Sequence, residues 1–410
     1  MNYGCIGEHL AHSFSKEIHN KIESYDYELC EVAKDKLREF MTQRSFKAIN
    51  VTIPYKQDVI PHLYFIDDMA KQIGAVNTIV NRDGKLYGYN TDFMGMSALA
   101  DRIGISFEGK KVLVLGTGGT SKTAVAVANS KGAKEVVRVS RSGGDNCVTY
   151  DEAKQLHGDC QIVINTTPCG MYPNNDGMPI NLDDYPMVEG VLDAVYNPLV
   201  TRLVCEAIKK GIKAECGLYM LVAQAVFAAE KFTGKTYDDK IIDSVFNDIF
   251  ASKQNIVLTG MPGSGKTTVG RLLAQITGRQ FIDTDEMIVQ KHGEISYIFA
   301  KQGETAFRDM ETEAVREASA NCGCIISTGG GAILRDKNID ALKSNGKVFF
   351  IDRPLQSLIP TDDRPLAKDA EAIKKRYDER YDKYCSTADV IIDADCTPDA
   401  VAQKILDNME

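Results

Sequence analysis

Asn255-Ile-Val-Leu-Thr259 runs directly into Gly260-Met-Pro-Gly-Ser-Gly265-Lys266-Thr267. An apolar strand opening into Gly-x-x-x-x-Gly-Lys-Thr is the setting in which a phosphate-binding loop is specific. The backbone N–H groups of such a loop cradle phosphates, its lysine reaches the β and γ oxygens, and its threonine ligates Mg2+. Gly263, Gly265, Lys266, Thr267 and Thr268 are therefore candidate nucleotide contacts, with Thr267 also a candidate metal ligand. The loop begins only near residue 260, and a second glycine turn lies far upstream. Lys111-Val-Leu-Val-Leu115 reads as a buried strand that ends in Gly116-Thr-Gly118-Gly119. One chain thus carries two nucleotide signatures of different chemistry, which points to two enzymes joined end to end.

The upstream turn is the weaker signal, because the third glycine of Gly-x-Gly-x-x-Gly is Ser121 here and an ordinary tight strand–helix turn competes with the functional reading. The next strand, Glu135-Val-Val-Arg-Val139, strengthens it. Its end carries Ser140-Arg141-Ser142 where a ribose-binding acid would otherwise stand. An arginine with flanking hydroxyls suits a 2′-phosphate, so the cofactor expected is NADP(H), held by Gly116, Gly118, Gly119, Ser140 and Arg141.

Composition narrows the class. A chain of 410 residues, 44% hydrophobic and 26% charged, suits two or three globular domains. Up to Lys253 there are 28 basic and 32 acidic residues, and beyond it 20 and 25, so the halves carry −4 and −5 of the formal −9. Neither half has the basic excess of a nucleic-acid binder. The eleven cysteines are scattered without a Cys-x-x-Cys pair, as suits reduced, packed thiols. The start of the chain shows no charged-then-apolar leader, and no apolar run approaches 18 residues. A cytoplasmic protein with small-molecule partners, without nucleic acid or membrane, is expected; homodimerisation is left open.

Strand and helix patterns alternate through both halves, which implies α/β architecture with parallel sheets. Segments near 2–6, 46–52 and 76–81 read as strands of a smaller α/β unit. Gln161-Ile-Val-Ile164 continues the upstream nucleotide sheet, and helical patterns near 199–210 and 219–250 close the first half. In the second half the strands expected are Ile256–Thr259, Cys324–Ser327 and Val348–Ile351.

Several motifs between about residues 2 and 250 together resemble shikimate dehydrogenase. They are His12-Ser13-Phe-Ser15, Asn50-Val-Thr52-Ile-Pro54-Tyr-Lys56, Gly74-Ala-Val-Asn77-Thr78, Asn90-Thr-Asp92, Asn165-Thr-Thr-Pro168-Cys-Gly-Met171, Asp193-Ala-Val-Tyr196-Asn-Pro198 and Gly217-Leu-Tyr-Met220-Leu-Val-Ala-Gln224. The resemblance implies Ser13 and Ser15 on the substrate carboxylate, Asn77 and Gln224 on ring hydroxyls, Thr52 facing the substrate, and Met220 beside the cofactor. Lys56 and Asp92 would be the catalytic pair, since reducing a ring ketone needs a proton for the developing alkoxide, and such help is worth ~10²–10⁴ in rate. Lys16 departs from the family's usual proline after the second serine, and Ser140 from its usual asparagine. Taken singly, any of these charges reads as a solvated surface group.

Residues 255–408 resemble shikimate kinase. Phe281-Ile-Asp283-Thr-Asp285, Phe307-Arg308-Asp-Met-Glu311, Ser327-Thr-Gly329-Gly330-Gly331, Arg364-Pro-Leu366 and Arg380-Tyr-Asp-Lys-Tyr384 carry the likeness. It implies Arg308 and Arg380 clamping a carboxylate and Asp285 receiving the acceptor's proton. Asp283 would hold Mg2+ through water, and Gly330 and Gly331 would line the ring. Arg364 would act from a lid, with Lys266 and Asp285 in the transfer step. Arg376 competes with Arg380, and spacing to Tyr384 favours Arg380. The bland alternative for Arg308 is an exposed helix charge paired with Glu304 or Glu311, worth ~0.3–0.5 kcal/mol.

The domains expected are a substrate-binding domain at 1–100, completed by helices near 219–250, and an NADP-binding Rossmann domain at 101–250. A linker at 251–254 and a P-loop kinase domain at 255–410 follow. The joint function implied is NADPH-dependent reduction of 3-dehydroshikimate to shikimate, then phosphorylation of shikimate by ATP to shikimate 3-phosphate. Quinate with NAD in the first half is the enzymatic alternative. A ligand-sensing regulator built from degenerate copies would have lost some of Lys56, Asp92, Lys266, Asp285 and Arg308, and all are present.

Overall fold

The computed structural model describes residues 1–10, 13–144, 146–238, 240–358 and 370–409. They divide into two compact units, Met1–Asn197 with Thr201–Ile249, and Pro198–Val200 with Phe250–Glu410. Among the described residues no helix is long and apolar enough to cross a membrane. All eleven cysteines are free.

The first unit holds two sheets. One contains β1 (Tyr3–Gly7), β2 (Tyr27–Glu31), β3 (Ala48–Val51), β4 (Phe65–Ile66), β5 (Thr78–Arg82) and β6 (Lys85–Tyr89), in the order β2-β1-β3-β5-β6-β4. β1 runs parallel to β2 and β3, while β5 is antiparallel to β3 and β6. Asp83 and Gly84, at φ of +50° and +80°, make the two-residue turn between β5 and β6, the conformation that matches the twist of a hairpin. The sequence patterns capture β1, β3 and β5 but not β2, β4 and β6.

The second sheet is parallel throughout: β7 (Lys111–Leu115), β8 (Glu135–Val139), β9 (Ile162–Asn165), β10 (Gly190–Asp193) and β11 (Lys213–Glu215), ordered β11-β10-β9-β7-β8. Val112 to Leu115 are wholly buried, as a strand covered on both faces requires. The chain leaves β7 and β9 in opposite directions, so a crevice opens beyond their carboxyl ends. The helices expected near 219–250 number two. Gly234, at φ +73°, closes helix Leu218–Thr233, and Lys240–Lys253 starts afresh. Helix Leu218–Thr233 packs on helix Thr91–Arg102 at Gly95, where a Cβ would stand 2.6 Å from the Met220 carbonyl and 2.9 Å from Gln224 Cβ. Only glycine allows this approach, which brings Gln224 to the helix carrying Asp92.

The second unit is built on β12 (Asn255–Thr259), β13 (Phe281–Asp283), β14 (Ile325–Ser327), β15 (Gly346–Asp352) and β16 (Val390–Asp393), all parallel in the order β13-β14-β12-β15-β16. Alternate residues serve opposite layers: Val257, Ile326, Val348 and Phe350 on one face, Ile256, Leu258, Ile325, Phe349 and Ile351 on the other. At the expected 251–254 linker the structure differs. Helix Lys240–Lys253 runs through most of it, leaving Gln254 alone before β12. Arg279 explains how the helix ends there, donating to the carbonyls of Gln254 at 2.7 Å and Ala251 at 2.8 Å that the last turn leaves without partners.

At the end of β10, Asp193 is wholly buried and accepts hydrogen bonds from Asn165 Nδ2 (2.9 Å), the Val195 N–H (3.0 Å) and the Thr201 hydroxyl (2.8 Å). Burial outweighs these bonds and pushes its carboxyl from 3.8 up to about 7. A carboxyl raised on folding contributes stability that is complete below 3.8 and lost as pH rises through about 7. Asp193→Asn keeps a neutral polar group there, so its melting temperature should gain on the parent's as pH goes from 4 to 7. A difference that stays constant across that window would refute the shift.

Candidate active sites

In the first unit the loop after β3 carries Thr52 and Lys56, and Asn90 caps helix Thr91–Arg102 by accepting the Phe93 N–H. The cap fixes Asp92 in the first turn, and its Oδ2 accepts from Lys56 Nζ at 2.6 Å. Both side chains are largely buried, so the expected surface-charge alternative fails for this pair. Cys5 of β1 lies within electrostatic reach of both, and burial pushes its thiol up to about 12, leaving it neutral.

Asn77 sits beside this pair in a buried polar cluster. Its Nδ2 donates to Thr91 Oγ1 at 3.0 Å and to Gln224 Oε1 at 3.4 Å, while its Oδ1 accepts the Thr91 N–H at 2.7 Å. Asn50 and Tyr27, which carried no site role in the sequence reading, extend the cluster: Tyr27 Oη donates to Asn50 Oδ1 at 2.7 Å and Asn50 Nδ2 to Thr78 Oγ1 at 3.2 Å. Ser13 Oγ donates to Ser15 Oγ at 3.1 Å, pairing the two serines with each other. His12 lies outside the described residues. Lys16 falls in the first turn of helix Ser15–Ile22, so the helix forms without the proline.

The dinucleotide turn lies at the carboxyl end of β7. Gly116 has φ +109°, and a Cβ there would meet Thr166 Oγ1 at 2.8 Å. Gly118 is the N-cap of helix Gly119–Ser130. Ser121 occupies the third-glycine place without harm, because its buried hydroxyl turns back to the Gly116 carbonyl at 2.7 Å. A Cβ on Gly119 would lie 3.7 Å from Lys56 Cδ, so the lysine and the turn are neighbours. Ser140 follows β8, its hydroxyl donating to Gly143 O at 3.2 Å, and Arg141 is exposed beside it. Met220 is buried in helix Leu218–Thr233.

In the second unit Gly263 and Gly265, at φ +83° and +94°, shape the loop that starts helix Lys266–Thr277. Lys266 is buried and donates to the carbonyls of Gly260 at 2.9 Å and Met261 at 3.0 Å. Thr267 Oγ1 donates to Asp283 Oδ2 at 3.0 Å, so a hydroxyl and a carboxylate converge where a hard cation is expected. Asp283 Oδ1 caps helix Thr284–His292 through the N–H groups of Asp285 and Glu286. Thr268 is exposed in the first turn.

A cavity of about 590 Å³ joins these elements, its lining bringing Thr267, Asp283 and Asp285 together with Arg308, Arg376 and Arg380. Arg308 does pair with Glu311 (2.8 Å) and Glu304 (3.0 Å), as the bland reading held, but it is only 7% exposed. Burial pushes the Glu311 carboxyl up, against the opposing pull of Arg308. The glycine triplet makes room for all this. A Cβ on Gly331 would stand 1.8 Å from Arg308 Nη1, one on Gly329 2.5 Å from Asp285 Oδ1, and one on Gly330 2.9 Å from Pro262 Cδ. Arg376 and Arg380, weighed as alternatives, both line the cavity; they are four residues apart on one helix and share a face. Arg353, beside Gly265 and Nη1 3.6 Å from where its Cβ would stand, is a cation the sequence reading missed. Arg364 lies outside the described residues.

The family model described as shikimate dehydrogenase substrate binding domain matches residues 5–79, and that described as shikimate kinase matches residues 262–410. A shikimate dehydrogenase (NADP(+)) of Clostridium beijerinckii is 40% identical over 263 residues, covering 60% of this chain and 96% of the relative. Shikimate dehydrogenase 1 of Peptoclostridium difficile, in its crystal structure, is 33% identical with a TM-score of 0.56, over 61% of this chain and 98% of that one. The Thermus thermophilus enzyme, solved with NADP(H) and shikimate, is 27% identical with a TM-score of 0.54, over 60% of this chain and 99% of its own. The chain therefore belongs to the shikimate dehydrogenase family through its first unit and carries a shikimate kinase domain in its second, a bifunctional enzyme of the shikimate pathway.

Proposed function

We propose that the first unit reduces 3-dehydroshikimate to shikimate with NADPH, and that the second phosphorylates shikimate with ATP to give shikimate 3-phosphate. The reduction rests on the buried Lys56–Asp92 pair at 2.6 Å, adjacent to the dinucleotide turn. Gly116, Gly118, Gly119, Ser140, Arg141 and Met220 would hold NADPH, with Ser140 and Arg141 for its 2′-phosphate, and the cofactor would supply the hydride. Ser13 and Ser15 hydrogen-bond the substrate carboxylate, Asn77 and Gln224 take ring hydroxyls, and Thr52 borders the ring. Lys56 gives its proton to the developing alkoxide while Asp92 holds the ammonium in place.

The phosphorylation rests on a single cavity whose lining holds the phosphate-loop Thr267, the carboxylates of Asp283 and Asp285, and three guanidinium groups. Arg308 and Arg380 clamp the carboxylate through charge-assisted bonds, and Gly330 and Gly331 leave space and N–H groups for the ring. The acceptor hydroxyl then faces Asp285, which takes its proton. Lys266 turns from its loop carbonyls to the β and γ oxygens, with Gly263, Gly265 and Thr268 around the phosphates. Thr267, and Asp283 through water, would hold Mg2+, which would supply neutralisation of phosphate charge, and Arg364 would add a further cation. The reactants are small molecules of the cytoplasm, and a homodimer is compatible with this scheme.

One preparation should show shikimate-dependent reduction of NADP, much slower reduction of NAD, and ATP-dependent phosphorylation of shikimate; absence of either reaction refutes its half. Lys56→Ala should lower dehydrogenase kcat by ~10²-fold or more while the KM for NADP stays near the parent value. Retained turnover would remove Lys56 from proton transfer. Arg308→Ala should raise the kinase KM for shikimate far more than that for ATP, and equal effects would rule out the carboxylate clamp.

A further inference from the structure

Tyr384 is not part of the cavity lining, yet its hydroxyl stands between the two loops that would hold the reactants. Its Oη lies 2.9 Å from the carbonyl of Gly260, at the head of the phosphate loop, and 2.5 Å from that of Gly330, in the glycine triplet. A phenol donates one proton, so the two carbonyls share it. Each carbonyl also has a cation of its own: Lys266 Nζ at 2.9 Å on Gly260, and Arg380 Nη1 at 3.0 Å on Gly330. An unbroken polar chain therefore runs Lys266–Gly260–Tyr384–Gly330–Arg380, with the nucleotide's lysine at one end and the acceptor's arginine at the other. The ring is buried and stacked on Phe350 at 4.9 Å and 8°, while the hydroxyl is held by its two carbonyl partners. Burial also pushes the phenol's pKa up, which keeps it a donor.

We propose that Tyr384 is a positioning residue that couples the nucleotide and acceptor sites of the kinase unit, through the one proton it shares between Gly260 and Gly330. The inference rests on the kinase reading above. When phosphate oxygens draw Lys266 away, the Gly260 carbonyl keeps only Tyr384, and the proton settles there. Gly330 then relies on Arg380, which fixes that guanidinium with its remaining N–H groups free for a carboxylate. Occupation of the nucleotide site thus prepares the acceptor site, and by linkage the reverse holds.

The test is initial-rate kinetics of the full chain, without NADP so that the first unit is silent. ADP release over a grid of ATP and shikimate concentrations gives the factor by which saturating shikimate lowers the KM for ATP. In the parent this factor should be several-fold, and in Tyr384→Phe it should fall toward one, with kcat less affected. The hydroxyl's loss leaves each carbonyl its cation, so the variant should fold. Phe350→Leu loosens the same packing without touching the hydroxyl, and should lower the melting temperature while keeping the factor. An unchanged factor in Tyr384→Phe, an equal loss in Phe350→Leu, or a parent factor of one would overturn the coupling. Absence of ADP release from the parent would instead refute the kinase reading.

Discussion

Each site is organised around a cation kept out of water against a carboxylate: Lys56 on Asp92 at 2.6 Å, and Arg308 on Glu311 at 2.8 Å. Burying such pairs is a poor way to gain stability, because desolvation of both ions offsets most of their attraction. What the arrangement provides is a charged group with a fixed direction in a poorly solvated setting, where its pull on a substrate's charge is strongest. The surrounding structure follows from that need. Helix Thr91–Arg102 must begin where its cap places Asp92 under Lys56, and the glycine triplet must be bare so that Arg308 can lie against it.

The parts of the fold carried by local chemistry were legible in the sequence. A phosphate loop is a run of adjacent residues whose backbone does the work, and β7 and β12 are apolar because both of their faces are covered. Asp83-Gly84 was an equally local hairpin signal, and reading it would have found β6. Gly234, likewise, could have marked the end of helix Leu218–Thr233, since a glycine after a long apolar helical run suits a left-handed cap. Short edge strands such as β4 and β13 offer two or three residues and no usable period.

The candidate sites divide in the same way. The family resemblances singled out Lys56, Asp92, Asp285 and Arg308, but not that Arg308 is enclosed, because its depth comes from Gly331 packing directly against its guanidinium. The choice between Arg376 and Arg380 looked exclusive in one dimension. Helical spacing of four already placed both on one face, and the cavity wall uses both. Tyr27, Asn50 and Tyr384 drew no role from the sequence because their partners are distant in the chain: Tyr384 meets Gly260 across 124 residues.

The crowding around the triplet has a practical side for anyone reshaping this enzyme. Randomising codons 329–331 would return mostly dead clones, since even the smallest side chain strikes a guanidinium, a carboxylate or a proline ring. Val289, Ile295 and Phe299 also border the cavity and form no part of the charged machinery. Altered appetite for bulkier cyclic acids is thus more readily evolved by trimming that greasy wall than by touching the glycine rim.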